Sequence, residues 1–159
     1  MDGPHYLGEP VTTITTATKA DADDLAELRH ALWPHGSIEE HKADLEAMLA
    51  TPDKWYRVMA RLASGQAVGF AEASIRHDYV NGCDTSPVGF LEGIYVDPAF
   101  RRTGVARQLV EAVEKWARQQ GCSELASDTG IANVPSQKLH NALGFTETQR
   151  VVYFRKLLG

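Results

Sequence analysis

The stretch that most constrains this chain is residues 90–117, FLEGIYVDPAFRRTGVARQLVEAVEKWA. It predicts a strand, a turn and a helix in that order. Aromatic and β-branched residues fill 90–96, and Asp97-Pro98 ends the run because proline has no N–H to give to a sheet. From Val105 onward Leu109, Val110, Val113, Trp116 and Ala117 recur at helical spacing, and Gly121 can close the helix in the left-handed conformation. Between strand and helix lie Arg101, Arg102, Thr103, Gly104, Val105 and Ala106. Successive backbone N–H groups at a helix N-terminus, flanked by two arginines, form a ready site for a diphosphate. Gly104 lets the backbone come close, and the small Ala106 leaves the first helical turn unobstructed. The plain alternative is an arginine-rich surface turn before an ordinary helix.

The flanking sequence supplies the other layers. Residues 1–10 read as a loose lead-in and 11–16 as a strand, with Asp21 placed to cap a helix through Leu25, Leu28 and Leu32. Trp33-Pro34-His35-Gly36 breaks that helix, and Ser37-Ile38-Glu39-Glu40 has the form of a capping box that starts a second one. Residues 55–62 and 67–76, joined through Ser64-Gly65, predict a hairpin, and 77–88 a loop. After the long helix, 123–127 predicts a short strand and 133–143 a helix, with Pro135 in its first turn and Gly144 past its end. Residues 146–156 predict one closing strand or a bent strand pair. The order is β-α-α-β-β-β-α-β-α-β, without repeat or linker, so 1–159 is expected to form one α+β domain with a mixed central sheet and about four helices.

Composition narrows the function. With 43% apolar and 23% charged residues this is the make-up of a water-soluble domain, and no run approaches the 18 or more apolar residues of a membrane span. The N-terminus lacks the basic start and apolar run of a signal peptide, so a cytoplasmic location is expected. A net charge of −5 argues against nucleic-acid binding and suits a cationic small substrate. Cys83 and Cys122 lie far apart and read as free thiols, with a single disulfide as the alternative. The histidines show no HExxH or paired spacing, so no metal site is expected.

RRTGVA fits the R/Q-x-x-G-x-G/A signature of the GNAT acetyltransferases, and the element order is also theirs. The chain therefore resembles that family, in which this turn holds the pyrophosphate of acetyl-coenzyme A. Six further stretches look like the aminoglycoside 6'-N-acetyltransferases: Leu32-Trp33-Pro34, SIRHDYV from Ser74, FLEGI from Phe90, Ala126-Ser127-Asp128-Thr129, Gln137-x-x-His140-x-x-Leu143-Gly144-Phe145, and Glu147-Thr148-x-Arg150-Val151.

The resemblance implies acetyl transfer from acetyl-coenzyme A to the 6'-amine of an aminoglycoside, giving resistance. It implies that the pantetheine arm pairs with the central strand, where backbone N–H groups of Ile94, Tyr95 and Val96 face the thioester, and that Asn133 and Ser136 contact the coenzyme. Glu92 is the expected relay base and Asp128 the amine anchor, because an ammonium must lose a proton before it attacks. Each is also readable as an ordinary strand-face or loop-capping carboxylate. Trp33, Glu72, Tyr79 and Glu147 are expected at the substrate rim, with a core plug as the alternative for Trp33 and solvated groups for the rest; Glu147 is shadowed by Gln149 two residues along. His140 stands where many of these enzymes carry a tyrosine that protonates the leaving thiolate; it is either that acid or a histidine satisfied by a neighbour, with Tyr153 or a water as the alternative donor. A homodimer through the C-terminal strands is also implied. Other readings keep the coenzyme but change the acceptor to a polyamine, another small amine or a protein N-terminus, or remove catalysis altogether and leave a coenzyme A-binding module.

Overall fold

Each stretch with strand or helix periodicity between residues 11 and 142 folds as its pattern predicts in the computed structural model, which describes residues 11–159. The expected lead-in over 1–10 lies outside the described residues. Five strands, β1 (Val11–Thr16), β2 (Trp55–Leu62), β3 (Ala67–Arg76), β4 (Val88–Val96) and β5 (Leu125–Ser127), form one sheet in sequence order. Neighbours are antiparallel through β4, and β5 runs parallel to β4. The helices are α1 (Ala22–Leu32), α2 (Ile38–Leu49), α3 (Val105–Gln119) and α4 (Val134–Ala142).

Strand alternation sends side chains to two faces, and each face has its own core. Leu109, Val110, Val113 and Trp116 of α3 pack on Val58, Ala60, Ala73 and Leu91. Leu25 and Leu28 of α1 and Leu45 of α2 pack on Met59 and Phe70. Each such fully buried side chain contributes about 1.5–3 kcal/mol relative to exposure, so both layers are held by apolar contact. The ends are set locally. Ser37 and Glu40 make the reciprocal bonds of the capping box at 3.1 and 3.3 Å, and Gly121 and Gly144 follow their helices at φ 84° and 92°. Asp21 does occupy the N-cap of α1, but its carboxylate accepts from the Thr18 N–H at 2.7 Å and from Arg61 at 2.7 Å.

One expectation is corrected. Residues 146–156 form no strand: no ladder joins them to β5. A period-two apolar pattern yields a strand only where a second strand offers its hydrogen bonds. The side chains there are open, with Val152 75%, Phe154 92% and Leu158 89% exposed. Both cysteines are free, and burial pushes both thiols upward in pKa, Cys83 with a further rise from the nearby Glu124 carboxylate.

Candidate active site

The site begins at an irregularity in β4. Glu72 pairs with Gly93 and Ala73 with Leu91, so Glu92 is one residue more than β3 has to offer. Such a bulge bends the strand and turns two consecutive side chains to the same side. Leu91 stays in the α3 core, while Glu92 and the open side of Gly93 both face the α1/α2 layer.

The same bend opens the sheet. β4 and β5 pair only at Gly89↔Leu125, Phe90↔Ala126 and Leu91↔Ser127. Beyond that rung β4 continues through Ile94, Tyr95 and Val96, while the chain after β5 turns into a loop at Asp128. Glu92 and Asp128 are therefore the first residues on the two prongs of a fork. The fork leaves one edge of Ile94 to Val96 without a neighbouring strand, which is where an extended ligand can pair with backbone groups.

Glu92 is firmly held. Its Oε1 accepts from Ser74 Oγ at 2.6 Å and from Arg76 at 2.9 Å, and its Oε2 from Arg76 at 3.1 Å. A carboxylate offers about four acceptor positions, so these contacts leave room for one more donor. Arg76 itself lies 3.5 Å above the Phe90 ring. Asp128 is exposed and lines a cavity of about 970 Å³ bounded by β5, the C-terminal end of α3, α4 and the terminal segment.

The turn between β4 and α3 is built as its sequence demands. Asp97 caps a 3-10 turn at Pro98–Phe100, and Arg102 (φ 63°) and Gly104 (φ 87°) both take the left-handed conformation. Nothing lies within 4 Å of the open side of Gly104, so the approach to the α3 N-terminus is clear. Thr103 Oγ1 donates to the Phe100 carbonyl at 2.5 Å. Arg101 donates to the Val96 carbonyl at 2.9 Å and rests over Tyr95, tying the turn to the open strand edge. Val105 is buried and Ala106 half-buried, which seats the first turn of α3.

Across the fork, His140 of α4 is gripped on three sides. One ring nitrogen, Nδ1, lies 2.7 Å from the Ser136 carbonyl, and the other, Nε2, lies 2.8 Å from Ser127 Oγ. Phe145 packs edge-on at 5.3 Å. Asn133 caps α4 by accepting from the Ser136 N–H at 3.2 Å.

Several expected rim residues are placed differently from one another. Trp33 is half-buried in the α1/α2 core, edge-on to Phe70 and beneath the Arg29 guanidinium at 5.0 Å. One edge of its indole lies directly against Gly93, so it is both packed in the core and adjacent to the bulge. His41 donates from Nε2 to the Trp33 carbonyl at 3.0 Å and accepts from Arg29 on Nδ1 at 3.4 Å, fixing the backbone there. Tyr79 is 76% exposed in the loop after β3. Glu147 is exposed and paired with Arg150 at 2.5 Å; that hydrogen bond and the guanidinium charge hold its carboxyl below the ordinary range.

Glu72 is a correction. It is not at the rim but buried at 2% exposure, ion-paired with Arg29, which is equally enclosed. Arg57 is buried beside them with one Nη lacking a partner among the described residues, and burial pulls its pKa down. A β3 carboxylate beneath two helices can keep its charge only with a cation at hand, and Arg29 supplies it. Sequence reasoning missed Ser74, Arg76, Ser127 and Arg29. Ser74 and Arg76 were findable, because residues two apart on one strand share a face with each other; the partners on α1 were not. Among the described residues no three His, Cys, Asp or Glu side chains gather as a metal site.

Residues 22–145 match the acetyltransferase (GNAT) family. The chain is 58% identical over 132 residues to an aminoglycoside N(6')-acetyltransferase type 1 of Serratia marcescens, covering 83% of this chain and 90% of that one. It is 52% identical over 143 residues to the enzyme of the same name from Salmonella typhimurium, covering 90% and 97%. Among solved structures, AAC(6')-Iy in complex with the bisubstrate analog CoA-S-monomethyl-acetylneamine superposes with a TM-score of 0.86 at 51% identity, covering 92% of this chain and 98% of the other.

Proposed function

The chain belongs to the acetyltransferase (GNAT) family, and on that premise we propose that it is an aminoglycoside 6'-N-acetyltransferase conferring resistance, with acetyl-coenzyme A as donor and direct attack in a ternary complex. The observation that carries the reading is the fork: β4 and β5 part after Leu91↔Ser127, with Glu92 and Asp128 as its first residues and an unobstructed helix N-terminus beyond its open strand.

The chain's own groups divide the work. Backbone N–H groups of Arg102 to Ala106 receive the diphosphate, because the left-handed Arg102 and Gly104 expose them and the α3 dipole favours an anion there. The open edge at Ile94, Tyr95 and Val96 pairs with the pantetheine arm, and its N–H groups polarise the thioester oxygen, a contribution of about 3 kcal/mol per well-aimed donor. Asn133 and Ser136 at the start of α4 flank the coenzyme.

Asp128 anchors the substrate ammonium, since an exposed carboxylate on the prong facing Glu92 draws a cation into the fork. Glu92 takes the amine proton through its remaining acceptor position, directly or through a water. A carboxylate that only bound the ammonium would stabilise the unreactive form, so the proton must be passed on. Trp33, held against Gly93, gives a sugar ring a face to stack on, and Tyr79 and Glu147 border the entrance. His140 supplies the proton needed by the departing thiolate.

We also propose a homodimer joined through the terminal segments. Support comes from Val152, Tyr153, Phe154, Leu157 and Leu158, each at least 75% exposed, and from β5, which is paired on one side only. Contiguous apolar exposure of this kind marks an interface, and the segment of a second copy laid along β5 removes both features. No helix among the described residues is long and apolar enough to cross a membrane. We further infer a cytoplasmic location, and the net charge of −5 supports a cationic small molecule rather than nucleic acid as the substrate.

The test is thiol release from acetyl-coenzyme A with a pair of aminoglycosides that differ only in a 6'-amine or a 6'-hydroxyl. Turnover of the amine alone is expected. Turnover of neither, with acetylation of spermidine or of a peptide, would overturn the substrate and keep the fold. Tight coenzyme binding with no amine accepted at all would leave a binding module.

A further inference from the structure

Ser127 has one hydroxyl hydrogen and two neighbours that can accept it: the Leu91 carbonyl at 3.1 Å and His140 Nε2 at 2.8 Å. The Ser136 carbonyl, 2.7 Å from His140 Nδ1, can only accept. Nδ1 therefore carries a hydrogen in either protonation state. If the ring is neutral, Nε2 accepts from Ser127 and the Leu91 carbonyl loses that donor. If the ring is protonated, Nε2–H donates to Ser127 Oγ, whose own hydrogen turns to Leu91, and every group in the chain is satisfied. The protonated state holds one proton more than the neutral one, so Oγ can take the Nε2 proton only as it gives up its own hydrogen.

Both nitrogens of His140 are thus occupied, and Phe145 closes a further side of the ring. No N–H of this histidine is free to face the fork. Ser127, in contrast, stands on the last paired rung, at the apex where the strands part. We propose that Ser127 is a catalytic residue: its hydroxyl is the immediate proton donor to the departing thiolate, and His140 acts only through it. This deepens the acetyltransferase reading and rests on it.

The step balances. As the amine nitrogen bonds to the acetyl carbon and the tetrahedral centre collapses, the carbon–sulfur bond breaks and its electron pair stays on sulfur. Sulfur takes the Ser127 Oγ proton while Oγ takes the Nε2 proton, leaving His140 neutral with its Nδ1–H still on Ser136. The proton lost by the amine resides on Glu92, and exchange with solvent resets both groups.

A relay acts as a unit, and its members are non-additive when removed. The experiment measures steady-state kinetics for the 6'-amine aminoglycoside with the parent, S127A, H140Q, the double variant and S127T, with calorimetric binding of coenzyme A to each. Each single variant is expected to lose about 100-fold in kcat, with both KM values and coenzyme affinity within about three-fold, and the double variant to lose no more than the worse single. S127T, which keeps a hydroxyl, is expected to recover most of the rate. The proposal fails if S127A stays within about three-fold of the parent, if the losses in S127A and H140Q multiply in the double variant, or if S127T is as slow as S127A. A merely structural link between α4 and the fork would weaken coenzyme binding and leave the losses additive, which also overturns it. A parent that turns over neither aminoglycoside refutes the substrate instead, and the same variants are then compared on whichever amine is acetylated.

Discussion

A methyl group at Gly93 is the sharpest test of how the bulge and the substrate platform depend on each other. An added Cβ would lie 2.5 Å from Trp33 Cζ2, 2.6 Å from Cη2 and 2.9 Å from Leu32 Cδ2. Ordinary contact begins at 3.4 Å, so the indole must retreat by roughly the difference, about 0.9 Å. The ring cannot do this freely. Phe70 meets it edge-on at 6.1 Å, Arg29 lies over it at 5.0 Å, and its backbone carbonyl is bonded to His41. Overpacking against such a rigid neighbour costs about 1–3 kcal/mol, and for a domain of this size about 2–4 °C of Tm per kcal/mol. Gly93→Ala is therefore expected to melt about 4–8 °C below the parent. Displacing the stacking face should also weaken the aminoglycoside by about 1 kcal/mol, raising its KM some five-fold. The KM for acetyl-coenzyme A should hold, because the clash is with Trp33 and Leu32 on the α1/α2 face of β4 and does not touch the diphosphate turn after Val96. Thermal denaturation and two-substrate kinetics check both parts. A variant with parental Tm and parental aminoglycoside KM would refute the claim that Trp33 is locked against the bulge.

Three further outcomes are expected. Glu72→Ala leaves Arg29 and Arg57 buried together with only the exposed Asp44, 3.7 Å from Arg29, as a nearby carboxylate and should cost about 3–5 kcal/mol in urea denaturation; a loss under 1 kcal/mol would mean that water or Asp44 compensates the pair. Gly104→Ala meets no neighbour but keeps a left-handed φ of 87°, so it should cost about 1–2 kcal/mol through the backbone alone and raise the KM of acetyl-coenzyme A but not that of the aminoglycoside. Burial raises the Asp21 carboxyl, but the Thr18 N–H and Arg61 outweigh it and hold its pKa below the ordinary value. A depressed carboxylate stabilises the fold above its unfolded pKa and loses that contribution as pH falls through its folded one. Acid titration of Asp21→Asn against the parent should therefore show the difference in stability shrinking below about pH 4, and a constant difference down to pH 2 would contradict the pairing.

The ordering of elements up to α4 was legible because it is written in short-range terms. Leucine spacing, the Ser37–Glu40 box and glycines past helix ends each act within a few residues, so the chain carries those decisions wherever it lies in space. The diphosphate turn was legible for the same reason, since Gly104 and the start of α3 are adjacent in sequence. Glu92 and Asp128 were identified by stretches of sequence, but their meeting at a fork depends on where β4 and β5 stop pairing. That point is set by the bulge, a difference in length between β3 and β4 that neither strand carries alone.

Partnership across the fold was beyond the sequence in each case where the reading changed. Glu72 and Glu92 are both carboxylates on strands, yet α1 brings Arg29 to one and buries it, while Arg76 holds the other at the surface. Residues 146–156 have the apolar content of a strand and no ladder. Periodicity and capping are properties of a segment, and the sequence by itself determined them here. Hydrogen-bond pairing, burial of charge and the company of a histidine are properties of two segments at once. Only the tertiary structure decided those, because the energy of a buried charge or an unpaired strand edge depends on what lies opposite.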